Sequence, residues 1–270
     1  MTVESIRVSP AWLVLREPAD AAARAPDLVE HLPATGRRVI HDLGCGTGSM
    51  GRWLAPRLPG PQHWVLYDRD ADLLEIAAAD LPGEAADGAA VTVDTRRSDV
   101  TRLHPGDLAD ATLITASALL DLLTGDELAG LISLCAAARC PVLLTLSVIG
   151  RVELSPADPL DARIAAAFDA HQRRGPGRGR LLGPDAVAAA IEGFSRSGAE
   201  VLVRPSPWRL GSAQADLVAE WLAGWVGAAC EQEAELAADV DAYVGRRLAE
   251  LKAGQLAVTV DHADLLALPR

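Results

Sequence analysis

The stretch Arg38-Val39-Ile40-His41-Asp42-Leu43-Gly44-Cys45-Gly46-Thr47-Gly48 decides how the rest of the chain is read. Its first six residues form a short apolar run, bounded by Gly36 before it and glycines after it, the pattern of a buried strand. Three glycines at alternate positions follow, and a helical pattern then runs from Ser49 to Leu58. Gly44 permits a sharp turn, while Gly46 and Gly48 remove side chains so that a ligand can lie against the backbone. The helix start behind them offers N–H groups that lack intrahelical partners. About twenty residues beyond the last glycine, the next strand, 63–67, ends at Asp68, where a carboxylate can accept both hydroxyls of a ribose.

Outward from this unit the alternation continues. A helix is expected over 71–81, strands over 90–94 and 111–115, helical patterning from Ser117 through Ala138, and a strand buried on both faces over 141–148. Strands alternating with helices at this spacing imply a parallel, doubly wound sheet. The second half is less regular. It reads as a helix over 161–171, a Gly/Arg loop over 173–183, and a helix from Pro184 to Gly198. A strand over 199–204, two helices within 212–251 and an alternating strand over 255–261 complete it.

Composition bounds the function. Half of the 270 residues are hydrophobic and 23% are charged, ample for a full-sized core. No apolar run approaches the roughly 20 residues of a membrane span, and MTVESIRVSP lacks the basic start and apolar core of a secretory signal. The four cysteines, Cys45, Cys135, Cys140 and Cys230, are scattered, so a reducing, cytoplasmic location is expected rather than a disulfide framework. The net charge of −12 argues against nucleic acid as a partner, because a backbone-tracking protein needs a basic face. The basic residues concentrate in one short stretch, 171–180.

Asp42-Leu43-Gly44-Cys45-Gly46-Thr47-Gly48 resembles the first motif of class I S-adenosylmethionine-dependent methyltransferases, and the likeness spans roughly residues 38–150. The resemblance implies that S-adenosylmethionine is the cofactor. It further implies that Asp42 addresses the methionine amino group, that Gly44, Cys45, Gly46 and Gly48 line the methionine and ribose portions, and that Asp68, with Arg69 beside it, holds the ribose. Ser98-Asp99-Val100 is similar to the family's third motif, where the acid meets the adenine amino group, and Thr115-Ala116-Ser117 falls where the family's backbone approaches the sulfonium. A dinucleotide site prefers G-x-G-x-x-G, whereas the spacing here is G-x-G-x-G, which suits a ligand without phosphates. The fold class expected is therefore α/β: a Rossmann-like, doubly wound, seven-stranded mixed sheet with its last strand antiparallel. Residues 1–36 would form a helical cap segment, 37–150 the donor-binding core, and 151–270 would complete the sheet in the same domain with an inserted basic loop and a helical pair, that pair and the N-terminal helix forming a cap or a homodimer surface.

The acceptor should sit outside the carboxyl ends of the strands. Asp121 is the first candidate, either a general base or acceptor contact, or a solvated, helix-capping aspartate. Trp12 and Arg16 lead a segment suited to folding over the donor, as pocket wall and carboxylate partner, or as an apolar lid with a surface arginine. His171 is either a base or a helix C-cap, and Arg174 belongs to a loop suited to closing over an anion or to a plain connector. Trp208, in a proline-stiffened loop, is a pocket candidate, whereas Trp221 and Trp225 at helical spacing read as core. No histidine or acid cluster has metal-ligand spacing, so no metal is expected. A small-molecule acceptor is expected, against an RNA or protein substrate or a non-catalytic donor-binding subunit.

Overall fold

The computed structural model describes residues 8–34, 36–175, 177 and 179–270. Residues 1–7 of the expected N-terminal segment, Thr35, and Pro176 and Arg178 of the basic loop lie outside the described residues.

The decisive stretch folds as the sequence implies. β1 (Arg38–Leu43) runs into the glycine loop and α3 (Ser49–Leu54), preceded in the chain by α1 (Pro10–Ala23) and α2 (Asp27–Glu30). β2 (Gln62–Asp68), α4 (Ala71–Ala79), β3 (Val91–Arg97) and β4 (Leu113–Ser117) continue the alternation. Next come α5 (Gly125–Ala138), β5 (Val142–Ser155), α6 (Asp161–Gln172), α7 (Ala186–Arg196) and β6 (Glu200–Pro205). β7 (Trp208–Leu210), α8 (Ala215–Gln232), α9 (Val240–Lys252) and β8 (Ala257–Leu268) end the chain. The sheet order is β3-β2-β1-β4-β5-β8-β6, with β7 also paired to β8. β1 to β5 are mutually parallel, and β8 is antiparallel to its three partners.

The sheet thus has eight strands rather than seven, and several boundaries move, β5 running on to Ser155 beyond its expected end at 148. β7 escapes the sequence pattern because Pro207 interrupts the run. Beyond it Trp208 and Leu210 turn inward, Arg209 turns out, and the three residues pair with Val260, Thr259 and Val258. β8 runs past its expected end at Asp261 because the polar residues His262 and Asp264 are buried beneath tertiary neighbours, Asp264 accepting from amides far away in the chain, which periodicity cannot reveal. The expected helix from Ser117 is also shortened. Ala118 takes a left-handed φ of 50°, residues 120–122 form a single 3-10 turn, and α5 begins only after Thr124. Thr124 accepts from the Glu127 amide while the Glu127 side chain accepts from the Thr124 amide, a capping box that fixes the helix start.

Asp264 explains how the N-terminal segment is held. Fully buried, its carboxylate accepts from the amides of Ala25 and Leu146, each at 2.8 Å. It therefore joins the end of α1 to the irregular middle of β5, where Leu146 has a positive φ of 57°. Asp264→Ala leaves two buried amides without acceptors, at roughly 1–3 kcal/mol each. A loss of about 3 kcal/mol in stability is expected, read as a lowered urea midpoint, with Asp264→Asn losing less.

Beside the sheet lies a second apolar cluster, built by α6, α8, β7 and the outer halves of β5 and β8 and including Trp208, Trp221 and Trp225. It stands next to the carboxyl ends of β1 and β4, and α1 packs against it through Trp12 and Leu15.

Candidate functional site

A single cavity of about 690 Å³ runs from the glycine loop into the second cluster. One end is polar. Gly44, Cys45, Gly46, Asp68, Arg69, Asp99 and Val100 all stand on its wall. Asp68 accepts from the Gly46 amide at 3.0 Å through Oδ2 and from the Asp70 amide at 3.0 Å through Oδ1. The carboxylate therefore faces the bare backbone of the loop and keeps a second lone pair on each oxygen for a ligand. Asp99 accepts from the amide and hydroxyl of Thr101. Burial pushes its carboxyl upward, but those two bonds, with Arg69 and Arg102 nearby, outweigh it and leave the pKa below the ordinary value.

The glycines divide into two kinds. A Cβ on Gly44 would lie 3.1 Å from Leu119, and one on Gly46 would lie 3.3 Å from Leu13 of α1, both on the cavity wall. Gly48 is different. Its φ is +86°, a Cβ there would lie 3.0 Å from the backbone of Ala77 in α4, and it does not reach the cavity. Its lack of a side chain serves helix packing rather than ligand contact. Asp42, Thr115 and Ala116 likewise lie beneath the floor, because β1 and β4 are covered on both faces. Thr115 donates to Asp42 Oδ1 at 2.7 Å, while Oδ2 is buried without a partner. Burial lifts the Asp42 pKa from 3.8 to about 6, against the Thr115 bond and the Arg24 charge, which lower it.

Arg24 is a site residue that sequence reading missed. Only 2% exposed, it donates to Ser49 and Ser117, both on the cavity wall, at 3.0 and 3.1 Å. Its Nε and Nη1 are buried without partners. A lone arginine between an alanine run and a proline carries no signal in sequence. Only the fold brings it to Ser117, 93 residues away.

The other end of the cavity is apolar and aromatic, walled by Trp12, Val148, Phe168, Trp208, Trp221 and Trp225. Trp221 and Trp225 stack with centroids 5.1 Å apart. Arg16 lies over the Trp208 ring at 4.8 Å and grips Asp20 through both guanidinium arms, at 2.9 and 3.2 Å. Trp208 Nε1 donates to the same carboxylate at 2.9 Å. α1 is fastened over the glycine loop by Glu17, which accepts from Arg52 of α3 at 2.7 Å. Trp12, Arg16 and Trp208 thus meet on the cavity wall, the Arg16 guanidinium paired with Asp20, and Trp221 and Trp225 serve both core and wall.

Asp121 stands between the two ends, in the 3-10 turn after β4, with its accessible surface on the cavity. Burial raises its pKa from 3.8 to about 6, opposed by a backbone hydrogen bond and then by the Arg16 charge. His262 of β8 lies on the aromatic end, 5.3 Å from the Trp208 ring. Burial first, and the Arg16 charge second, lower its pKa to about 3, so the imidazole is neutral at ordinary pH. His171 and Arg174 are not brought to the cavity. α6 turns its Gln172 inward, while His171 faces Glu231 at 3.0 Å and Arg174 donates to the Glu231 carbonyl at 3.4 Å. Both side chains anchor α6 to α8 near the surface. Among the described residues no group of His, Cys, Asp and Glu could hold a metal ion, and no helix is long and apolar enough to cross a membrane.

Residues 40–140 match a family model described as a methyltransferase domain. Among solved structures, the fold is similar to geranyl diphosphate C-methyltransferase from Streptomyces coelicolor A3(2), at TM-score 0.51 and 12% identity over 99% of this chain and 88% of that one. It is also similar to the cyclopropane synthase MmaA2 from Mycobacterium tuberculosis, at TM-score 0.47 and 14% identity over 89% and 81%. A third is magnesium protoporphyrin IX methyltransferase from Synechocystis PCC 6803, at 0.45 and 16% over 76% and 83%. No curated protein matches the sequence significantly.

Proposed function

We propose, from the premise that residues 40–140 match a methyltransferase domain and that the fold is similar to that of a methyltransferase, that this chain transfers the methyl group of S-adenosylmethionine to a small molecule. The observation that carries the reading is one continuous cavity. Its polar end has a carboxylate turned onto bare glycine backbone, and its other end is an aromatic chamber with an acid at the junction.

In this reading the adenosyl part lies along Gly44–Gly46. Asp68 accepts from the ribose hydroxyls and Asp99 faces the adenine. Arg24 and Asp42, each of which keeps some polar atoms without partners beneath the same floor, favour the charged methionyl end nearby. The chamber holds the acceptor beyond the sulfonium. Transfer is an in-line displacement: a lone pair of the acceptor forms the new bond to the methyl carbon while the carbon–sulfur bond breaks, its pair staying on sulfur to leave S-adenosylhomocysteine. The protein supplies alignment and exclusion of water. Asp121 takes the acceptor's proton.

The net charge of −12 and a chamber roofed by α1 favour a small acceptor over RNA or a protein chain. The test is calorimetric titration with S-adenosylhomocysteine and with NAD, followed by incubation of candidate acceptors with methyl-labelled donor. Tight binding of the first and none of the second is expected, and the reverse preference overturns the reading. Because His171 and Arg174 stand apart from the cavity, His171→Ala and Arg174→Ala are expected to leave kcat/KM within about twofold of the parent in the labelled-donor assay.

A further inference from the structure

We infer that the acceptor is an uncharged, flat, ring-bearing molecule with polar atoms at two places on its frame, and that His262 selects for it by hydrogen bonding to the one that is not methylated. This deepens the methyltransferase reading and rests on it.

Three observations lead there. First, the cationic side chain in the chamber is already committed. Arg16 is held by both oxygens of Asp20 and lies against the face of Trp208, so its charge is largely balanced before any phosphate or carboxylate arrives. The other arginines on the cavity wall, Arg69 and Arg97, stand at the donor end beside Asp68 and Asp99. Asp121 adds an acid at the junction, which repels an anionic acceptor. Second, the chamber is walled by stacked and tilted rings, which suit the face of a planar ligand.

Third, His262 is a polar group that the protein alone satisfies only in part. It is 3% exposed, it stands on the cavity wall, its Nδ1 is buried with no partner, and the ring's hydrogen bond within the protein is to the Val260 backbone. A neutral imidazole can donate from one nitrogen and accept at the other, so it recognises a hydroxyl or a carbonyl equally and has no attraction for an anion as such. Burial and Arg16 keep it neutral. The groups facing it are Arg16 of α1 and Trp208 of β7, and Asp20 completes that cluster. Asp121 and His262 both line the cavity and both sit within electrostatic reach of Arg16, which gives an acceptor two polar contacts.

The test uses the full chain loaded with S-adenosylhomocysteine and follows quenching of tryptophan fluorescence by three probes: 2,7-dihydroxynaphthalene, 2-naphthol and 2-naphthyl phosphate. The expected order is dihydroxynaphthalene tightest, 2-naphthol several-fold weaker, and the phosphate ester at least tenfold weaker than the first. His262→Phe is expected to erase the preference for two hydroxyls over one, and His262→Gln to restore much of it, with affinity for S-adenosylhomocysteine unchanged in both. Tightest binding of the phosphate ester, absence of naphthol binding to the loaded protein, or an unaltered preference in His262→Phe overturns the inference. Should His262→Phe fail to fold, the probe order in the parent protein and the His262→Gln comparison decide it. Failure of S-adenosylhomocysteine to bind at all sinks the methyltransferase reading itself, and is seen before any probe is added.

Discussion

Asp121→Asn is expected to lower kcat by about 10²- to 10⁴-fold, the usual contribution of a positioned general base. Affinity for S-adenosylhomocysteine should stay within about twofold of the parent. The pH profile supplies the sharper signature. Burial raises the Asp121 pKa from 3.8 to about 6, so the ionised, proton-accepting form is present above pH 6 and disappears below it. In the parent protein kcat/KM should therefore fall as pH drops through about 6, and in the asparagine variant that acid limb should vanish. Linkage predicts an opposite effect on stability. A carboxyl whose pKa is higher folded than unfolded binds its proton more readily in the native state, so its ionisation between pH 4 and 6 costs stability. The variant should unfold at higher urea than the parent at pH 7.5 and show no such gain at pH 4. A kcat within about threefold of the parent, with the acid limb intact, would remove Asp121 from proton transfer.

Asp68→Ala should weaken S-adenosylhomocysteine binding by at least about 100-fold. Two effects combine. The ribose loses its acceptor, and charge-assisted bonds of this kind contribute about 1.5–3 kcal/mol each. The Gly46 and Asp70 amides also lose the oxygens that hold the loop in shape. Asp68→Asn, which keeps one acceptor, should fall between. Calorimetry measures the affinities, and circular dichroism checks that the sheet survives. Unchanged affinity in Asp68→Ala would mean that the ribose lies elsewhere in the cavity.

The donor half of the molecule was legible because local features encode it. A buried apolar run followed by glycines can do little except turn and open a helix, and Asp68 follows from the βαβ spacing. The acceptor half was not, because its contacts are long-range. Arg24 meets Ser117 across 93 residues, and the Ala25 amide meets Asp264 across 239. His262 and Asp264 looked like the end of a strand because burial of polar groups depends on partners that periodicity does not show. Gly48 carried the right residue type for a different reason, since close packing on Ala77 and ligand approach leave the same mark in sequence. His171 and Arg174 illustrate the converse: a concentrated basic stretch drew notice, yet both side chains are spent on Glu231.

Cys45, set between Gly44 and Gly46 on the cavity wall, carries one more consequence. A thiolate beside a methyl sulfonium is the strongest nucleophile the loop could present, and an enzyme that alkylated its own cysteine would stop after one turnover. Burial first, and then the charges of Asp42 and Asp68, drive the Cys45 thiol well above its ordinary pKa. On the proposed donor placement, burial and, after it, the acids beside the loop thereby keep the neighbouring sulfur protonated and unreactive, so self-inactivation is suppressed.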